Sequence, residues 1–226
     1  PETFERMPHD PSLAERVARG KARLVAATLM RVTSAAGTDL RVDLTGAVRA
    51  GSVGFCEHPG DIAHWPGGLV LAFPAAGTVN GIVVLAAGDV NLTFKQYVQS
   101  PVLLTVADDR IVAIEGDGVD AQLFDGYLGA FDEPDAYATS HVGWGMNVHA
   151  RWESLAMFDK RDTNGTELRA IAGNFLYSTG ANEVASRFCR GHFDLPMRGC
   201  TITLDGEPVV VDGMLVPALA PAPPAT

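Results

Sequence analysis

The spacing of apolar residues changes period several times along this chain, and the changes mark out its elements. Leu13, Val17, Leu24 and Ala27 share one helical face, Asp10 is placed to cap the first turn and Pro11 suits its opening position. That pattern predicts a helix over residues 11–30. After Gly37 the period falls to two, and the alternation in DLRVDL predicts a half-buried strand over 39–44. Glycine and proline then punctuate residues 51–68, a long loop carrying Cys56, His58, His64 and Trp65. Loops of that length in a compact domain are usually functional.

Short apolar runs predict strands over 69–73, 78–85 and 102–107. Hairpins are expected over 106–114, turning at Asp108-Asp109, and over 201–211, turning at Asp205-Gly206. Helical spacing reappears over 119–130 and 150–158, and strands over 137–144, 168–176 and 187–195. No internal repeat is present. The prediction is one β-rich α+β domain over 1–217, a mixed or antiparallel sheet with a few helices. Residues 1–36 form its helical lead-in, and 218–226 (ALAPAPPAT) a disordered proline-alanine tail.

Composition narrows the function. The chain has 226 residues, 47% hydrophobic and 19% charged, which is enough apolar material for a sizeable core. Seventeen basic residues stand against 27 acidic ones, a net charge of −10. Lys21, Lys95 and Lys160 are the lysines and they do not cluster, so nucleic-acid and membrane-surface partners are not expected. Cys56, Cys189 and Cys200 follow neither a disulfide nor a metal-knuckle pattern, which suits a reducing cytoplasm. No apolar run approaches the ~20 residues of a membrane span. The start, PETFERMPHD, lacks an export signal and meets its first methionine at Met7, so a longer protein ending in this portion is expected.

Candidate chemistry centres on Gly191-His192-Phe193-Asp194. On a strand, residues two apart share a face, so His192 and Asp194 converge while Phe193 points into packing. One imidazole and one carboxylate make half a metal site. His141, in an otherwise apolar or small stretch, would complete two histidines and one carboxylate. Non-haem Fe(II) oxygenases and zinc hydrolases both use such a set, so the residue types alone leave the choice open.

Four segments carry a resemblance: GFCEHPGDIAHWPGGLVLAFPAAGTVNG (54–81), SHVGWGMN (140–147), AGNFLYSTGAN (172–182) and GHFDLPM (191–197). Together they resemble the 2,5-dihydroxypyridine 5,6-dioxygenases, ring-opening iron enzymes related to the M29 aminopeptidases. The resemblance implies the carboxy-terminal fold of M29-like proteins, iron bound by His141, His192 and Asp194, and O2 as co-substrate. It implies cleavage between ring positions 5 and 6 to N-formylmaleamic acid, in nicotinate and hydroxypyridine degradation, and an additional amino-terminal domain. Where the peptidases carry a metal-binding glutamate this chain has Leu69; their second glutamate falls on His141, and a histidine ligand near Arg169. Neither an apolar nor a permanently cationic side chain ligates a cation, so a single-metal site is expected here.

The substrate's hydroxyls lie across the ring from one another and cannot chelate one ion together. His64 is the candidate base for the hydroxyl proton. Tyr177 is a second candidate catalytic group, and Tyr177, Ser178, Arg169 and Trp144 are candidates for holding the ring or an anionic product. His58 is a weaker candidate for the role of His64, since Pro59 and Gly60 place it at a turn apex; His9 and His149 read as surface residues, Trp65 as a ring wall or core, Cys189 and Cys200 as packing. A closed homo-oligomer is expected, as for most soluble enzymes. Two other readings are an M29-like metallo-aminopeptidase and a non-catalytic assembly domain.

Overall fold

The computed structural model describes residues 2–56 and 58–222. Two helices, α1 (Glu2–Arg6) and α2 (Pro11–Ala26), precede β1 (Leu29–Ser34), β2 (Asp39–Asp43), β3 (Val48–Ser52), β4 (Leu69–Phe73) and β5 (Val79–Leu85). A short pair follows, β6 (Val90–Asn91) and β7 (Gln96–Tyr97), then β8 (Val102–Ala107), β9 (Arg110–Glu115) and α3 (Val119–Gly129). The second half holds β10 (Thr139–Gly145), α4 (Ser154–Met157), α5 (Gly165–Ala170), β11 (Phe175–Asn182) and β12 (Arg187–Met197). It closes with β13 (Cys200–Leu204), β14 (Glu207–Val211) and β15 (Met214–Leu215).

These strands form an eight-stranded sheet, β15-β14-β13-β1-β2-β5-β8-β9, and a five-stranded sheet, β12-β11-β10-β4-β3, each paired antiparallel. Residues of both sheets, with Leu13, Val17 and Leu24 of α2 and Phe124 and Leu128 of α3, make one hydrophobic core. Period-two alternation sorts the five-stranded sheet by face. Val70, Ala72, Val142, Trp144, Phe175, Tyr177, Phe193 and Leu195 point into that core. Gly20 lets α2 lie close against this inner face, since a Cβ there would meet Val70 Cγ2 at 2.9 Å. On the outer face Leu69 and Leu176 join Ala170 of α5 in a separate small cluster.

Asp109 pins the two sheets together. Its carboxylate accepts from the backbone N–H groups of Gly77, Thr78 and Val79 and from Arg187 Nη2, while Arg187 Nη1 donates to Thr139 O at 3.0 Å. Asp109 itself has a left-handed φ of 70°, as does Asp108 at 47°, which suits their two-residue turn between β8 and β9.

Several sequence expectations change. The helix predicted over 11–30 stops at Ala26, because Leu29–Ser34 alternates and pairs on both sides, burying Met30 and Val32 completely. Residues 29–34 are therefore a central strand and no part of a helical lead-in. The strand expected over 168–176 is helix α5 followed by a turn, and β11 begins at Phe175. Asn164 decides this: its side chain accepts from Thr166 N and Glu167 N, an N-cap that commits the following residues to a helical turn. The helix expected over 150–158 shrinks to α4, and β3 takes the first residues of the predicted loop. The tail is ordered where it starts, with Leu219 fully buried, while residues 223–226 lie outside the described residues.

Candidate metal centre

His141, Ser178 and Asp194 occupy one row across three adjacent strands, His141 opposite Ser178 and Ser178 opposite Asp194. His192, two residues before Asp194, stands in the next row opposite Gly180. Gly180 has φ 105°, and a Cβ there would meet Gly191 O at 1.9 Å, so no side chain shares His192's row on β11. All four site residues belong to the outer face. The strand carrying His192 and Asp194 is clipped from the side, because Leu92 N donates to Asp194 O at 3.1 Å and Thr93 Oγ1 to His192 O at 3.3 Å.

The row brings three potential ligand atoms, one from each of His141, His192 and Asp194, within 4.8 Å of one another. His141 Nε2 lies 3.6 Å and His192 Nε2 3.4 Å from Asp194 Oδ1, with the imidazoles 5.5 Å apart between centroids. His141 and Asp194 are each 7% exposed, whereas the His192 side chain is 42% exposed and opens the cluster to solvent. Phe73 flanks His141 with its ring centroid 5.4 Å away.

Protonation follows from these surroundings. Burial holds His141 neutral, bringing its pKa down to about 4. Burial alone would raise Asp194, but the His192 hydrogen bond and the charges of His141, His192 and Arg169 outweigh it and hold the carboxyl well below its usual range. His192 is raised: burial lowers it, and the hydrogen bond and charge of Asp194 more than reverse that. The hydrogen-bond network also assigns a tautomer. Ser140 gives its proton to Ala181 O, so its oxygen accepts from His141 Nδ1 at 3.2 Å, leaving a bare lone pair on Nε2. Ser178 Oγ lies 3.0 Å from that Nε2 and also donates to Asp194 Oδ1, so one hydroxyl proton serves two acceptors. The bare Nε2 of neutral His141 beside an ionised carboxylate, with His192 able to exchange its proton for a metal, fits a divalent cation.

The other expected site residues part company. Arg169 reaches the cluster from α5, with Nη1 3.1 Å from Asp194 Oδ2 and Nη2 3.1 Å from Thr166 Oγ1. Ser178 sits within it. Tyr177 does not: its neighbour's orientation sends it to the inner face, where its hydroxyl lies 3.0 Å from Thr139 Oγ1 and burial raises its pKa. Trp144, three residues beyond His141, also faces inward, with Nε1 donating to Met146 Sδ at 3.1 Å. Neither can act on a ligand at the outer face, which corrects both assignments. His64 is exposed on the loop between β3 and β4, outside the hydrogen bonds and ion pairs of the cluster. Trp65 stacks on Phe4 with centroids 4.2 Å apart. Cys200 is buried, its thiol pushed up to about 12, and Cys189 packs against the core. Sequence reasoning missed Ser140 and Thr166. Ser140 adjoins a candidate ligand, but its own partner at Ala181 is 41 residues away.

Among the described residues no helix is long and apolar enough to cross a membrane. Comparisons with known proteins agree in direction. Residues 1–217 match the family described as NicX, 2,5-dihydroxypyridine 5,6-dioxygenase. The 2,5-dihydroxypyridine 5,6-dioxygenase of Pseudomonas putida is 34% identical over 218 residues, which cover 96% of this chain and 62% of that protein. The solved structure of the 2,5-dihydroxypyridine dioxygenase from Pseudomonas putida KT2440 superposes with a TM-score of 0.91 at 33% identity, over 96% of this chain and 62% of the other. Wild-type AmpT from Thermus thermophilus superposes at 0.63 with 15% identity, over 90% of this chain and 53% of that one, and so shares the fold. The chain spans about 62% of the length of its dioxygenase relative. With β-rich antiparallel architecture and sequence in accord, the chain belongs to the 2,5-dihydroxypyridine 5,6-dioxygenase family.

Proposed function

We propose that the chain is the metal-binding portion of a dioxygenase that opens 2,5-dihydroxypyridine between C5 and C6 to N-formylmaleamic acid. In this reading His141 Nε2, His192 Nε2 and Asp194 Oδ1 hold one Fe(II) and leave its other positions open. The observation that carries it is the convergence of three ligand atoms within 4.8 Å on one sheet face. Iron held there supplies the one-electron chemistry that lets spin-restricted dioxygen react with a closed-shell ring. Both oxygen atoms enter the product.

The chain's own residues do the rest. Ser140 fixes the His141 tautomer, and the buried Ser178 hydroxyl lies between His141 Nε2 and Asp194 Oδ1 and links them. His64, on its loop, takes the hydroxyl proton of the substrate, a task suited to an imidazole at neutral pH. Leu69 occupies the same face without a donor atom, which supports oxygen chemistry over peptide hydrolysis. Free Cys56, Cys189 and Cys200 suit a cytoplasmic setting, and a closed homo-oligomer completes the reading.

The test is oxygen uptake by anaerobically purified, Fe(II)-loaded chain on addition of 2,5-dihydroxypyridine. One O2 consumed per ring lost is the expected result, with His64→Ala retaining iron and slowing uptake by roughly 10²–10⁴-fold. Iron retained without uptake defeats the catalytic reading of this portion and leaves it an assembly domain. Peptide cleavage in its place makes it a hydrolase.

A further inference from the structure

Asp194 is the single carboxylate in the cluster, and its two oxygens have different occupations. Oδ1 faces both imidazole Nε2 atoms, while Oδ2 lies 3.1 Å from Arg169 Nη1. The guanidinium is not a loose surface cation. Its Nη2 is 3.1 Å from Thr166 Oγ1, its Nε is buried with no hydrogen-bond partner, and its side chain is 25% exposed. The helix that carries it is fastened too. Asn164 caps α5, and the fully buried Glu167 pairs with Arg6 at 2.8 Å and accepts from Arg151 N at 2.9 Å.

We infer that Arg169 is a positioning residue that confines Asp194 to one donor oxygen, so that the centre takes a single cation bound through a single carboxylate oxygen. The inference rests on the metal-binding reading above and goes beyond it, because it gives Arg169 a task that involves no contact with the ring. A carboxylate with both oxygens free can chelate one cation through both or bridge two. With Oδ2 held 3.1 Å from a fixed guanidinium, both arrangements are disfavoured, because a cation reaching Oδ2 would sit beside a permanent positive charge. The electrostatic consequence is equally direct. One negative carboxylate and one positive guanidinium make the donor set neutral before any metal enters. A divalent cation held there keeps its whole charge for whatever fills its remaining positions, which favours an anionic oxygen ligand over a neutral one. Arg169 thereby lowers affinity for the metal and raises it for an anion beside the metal.

Co(II) titration of the purified chain, followed by azide titration of the Co(II)-loaded form, tests this. Arg169→Gln is expected to bind Co(II) at least about tenfold more tightly than the unaltered chain, and azide about tenfold more weakly once loaded. A residue that merely held α5 in place would move the first of these the other way. Unchanged or weaker Co(II) binding in Arg169→Gln overturns the role of Arg169 and leaves the metal site standing. If Arg169→Gln does not fold, Thr166→Val decides: it frees the guanidinium of its second anchor, so tighter Co(II) binding supports the inference and unchanged binding overturns it. Failure of the unaltered chain to bind Co(II) removes the metal reading and this inference with it.

Discussion

The five-stranded sheet has an aspartate–arginine pair at each of its faces, buried at one and with a partly exposed arginine at the other, and the two do different work. Asp109, 1% exposed, receives Arg187 and three backbone N–H groups, so its oxygens are filled with donors. Asp194, 7% exposed, receives Arg169 and one serine hydroxyl, and otherwise faces two imidazole nitrogens. The ionic pair is common to both. What separates a structural pin from a binding site is the remainder of the shell: enclosed by fixed backbone and guanidinium donors a carboxylate is finished, whereas beside the bare Nε2 of His141 and a half-exposed His192 it is short of positive charge.

Exchanging each aspartate for asparagine separates the two most sharply. Asp194→Asn should leave the fold intact and weaken divalent-cation binding beyond the ~10–100-fold that losing an outer-shell partner costs, since two neutral imidazoles remain. Calorimetric titration with Co(II) reads this, and binding within about tenfold of the unaltered chain would break the contrast. Asp109→Asn keeps a residue suited to its left-handed backbone but strands Arg187 in the core. It should cost about 3–5 kcal/mol in urea unfolding. A loss under about 1 kcal/mol would show that the pin is not one.

The third expected effect is the smallest and concerns pH. His141 titrates near 4 in the folded chain against an ordinary 6.5, because burial disfavours its charge. Between those values the unfolded chain binds a proton that the folded chain refuses, so stability falls as pH drops through the window and is restored above it. The contribution reaches about 3 kcal/mol at the acid end of the window. The difference between unaltered chain and His141→Gln isolates it, because Asp89, raised to about 6 chiefly by burial, pulls the other way over part of the same range. A difference that stays flat from about pH 7 to about pH 4 would remove His141 from the buried, neutral role.

Local patterns were readable where chain neighbours decide the outcome. The apolar run 69–73, the turns at Asp108-Asp109 and Asp205-Gly206 and the capped start of α2 stand where periodicity and turn chemistry put them. The His-x-Asp face was readable for the same reason, since two-residue alternation needs no partner strand. That rule, applied one step further, turns Trp144 and Tyr177 away, as Trp144 is an odd number of residues from His141 and Tyr177 adjoins Ser178. The strand expected over 168–176 is instead a helix and a turn, because the apolar run alone does not show the Asn164 cap that commits the residues after it to a helical turn. The Asp109–Arg187 pair joins residues 78 apart in sequence, and nothing in either neighbourhood announces the other.

The straight row formed by His141, Ser178 and Asp194 has a further consequence, for folding. Strand residues change sides with every step, so sliding β11 by one position would put Tyr177 where Ser178 stands and send its neighbours to the wrong side. The same slip would pull aromatic rings out of the interior. The convergence of the three candidate ligands and proper hydrophobic burial are thus two readouts of one alignment, and a mispaired chain fails both together. In the proposed metal-binding reading, uptake of Co(II) during refolding should therefore coincide with closure of the interior.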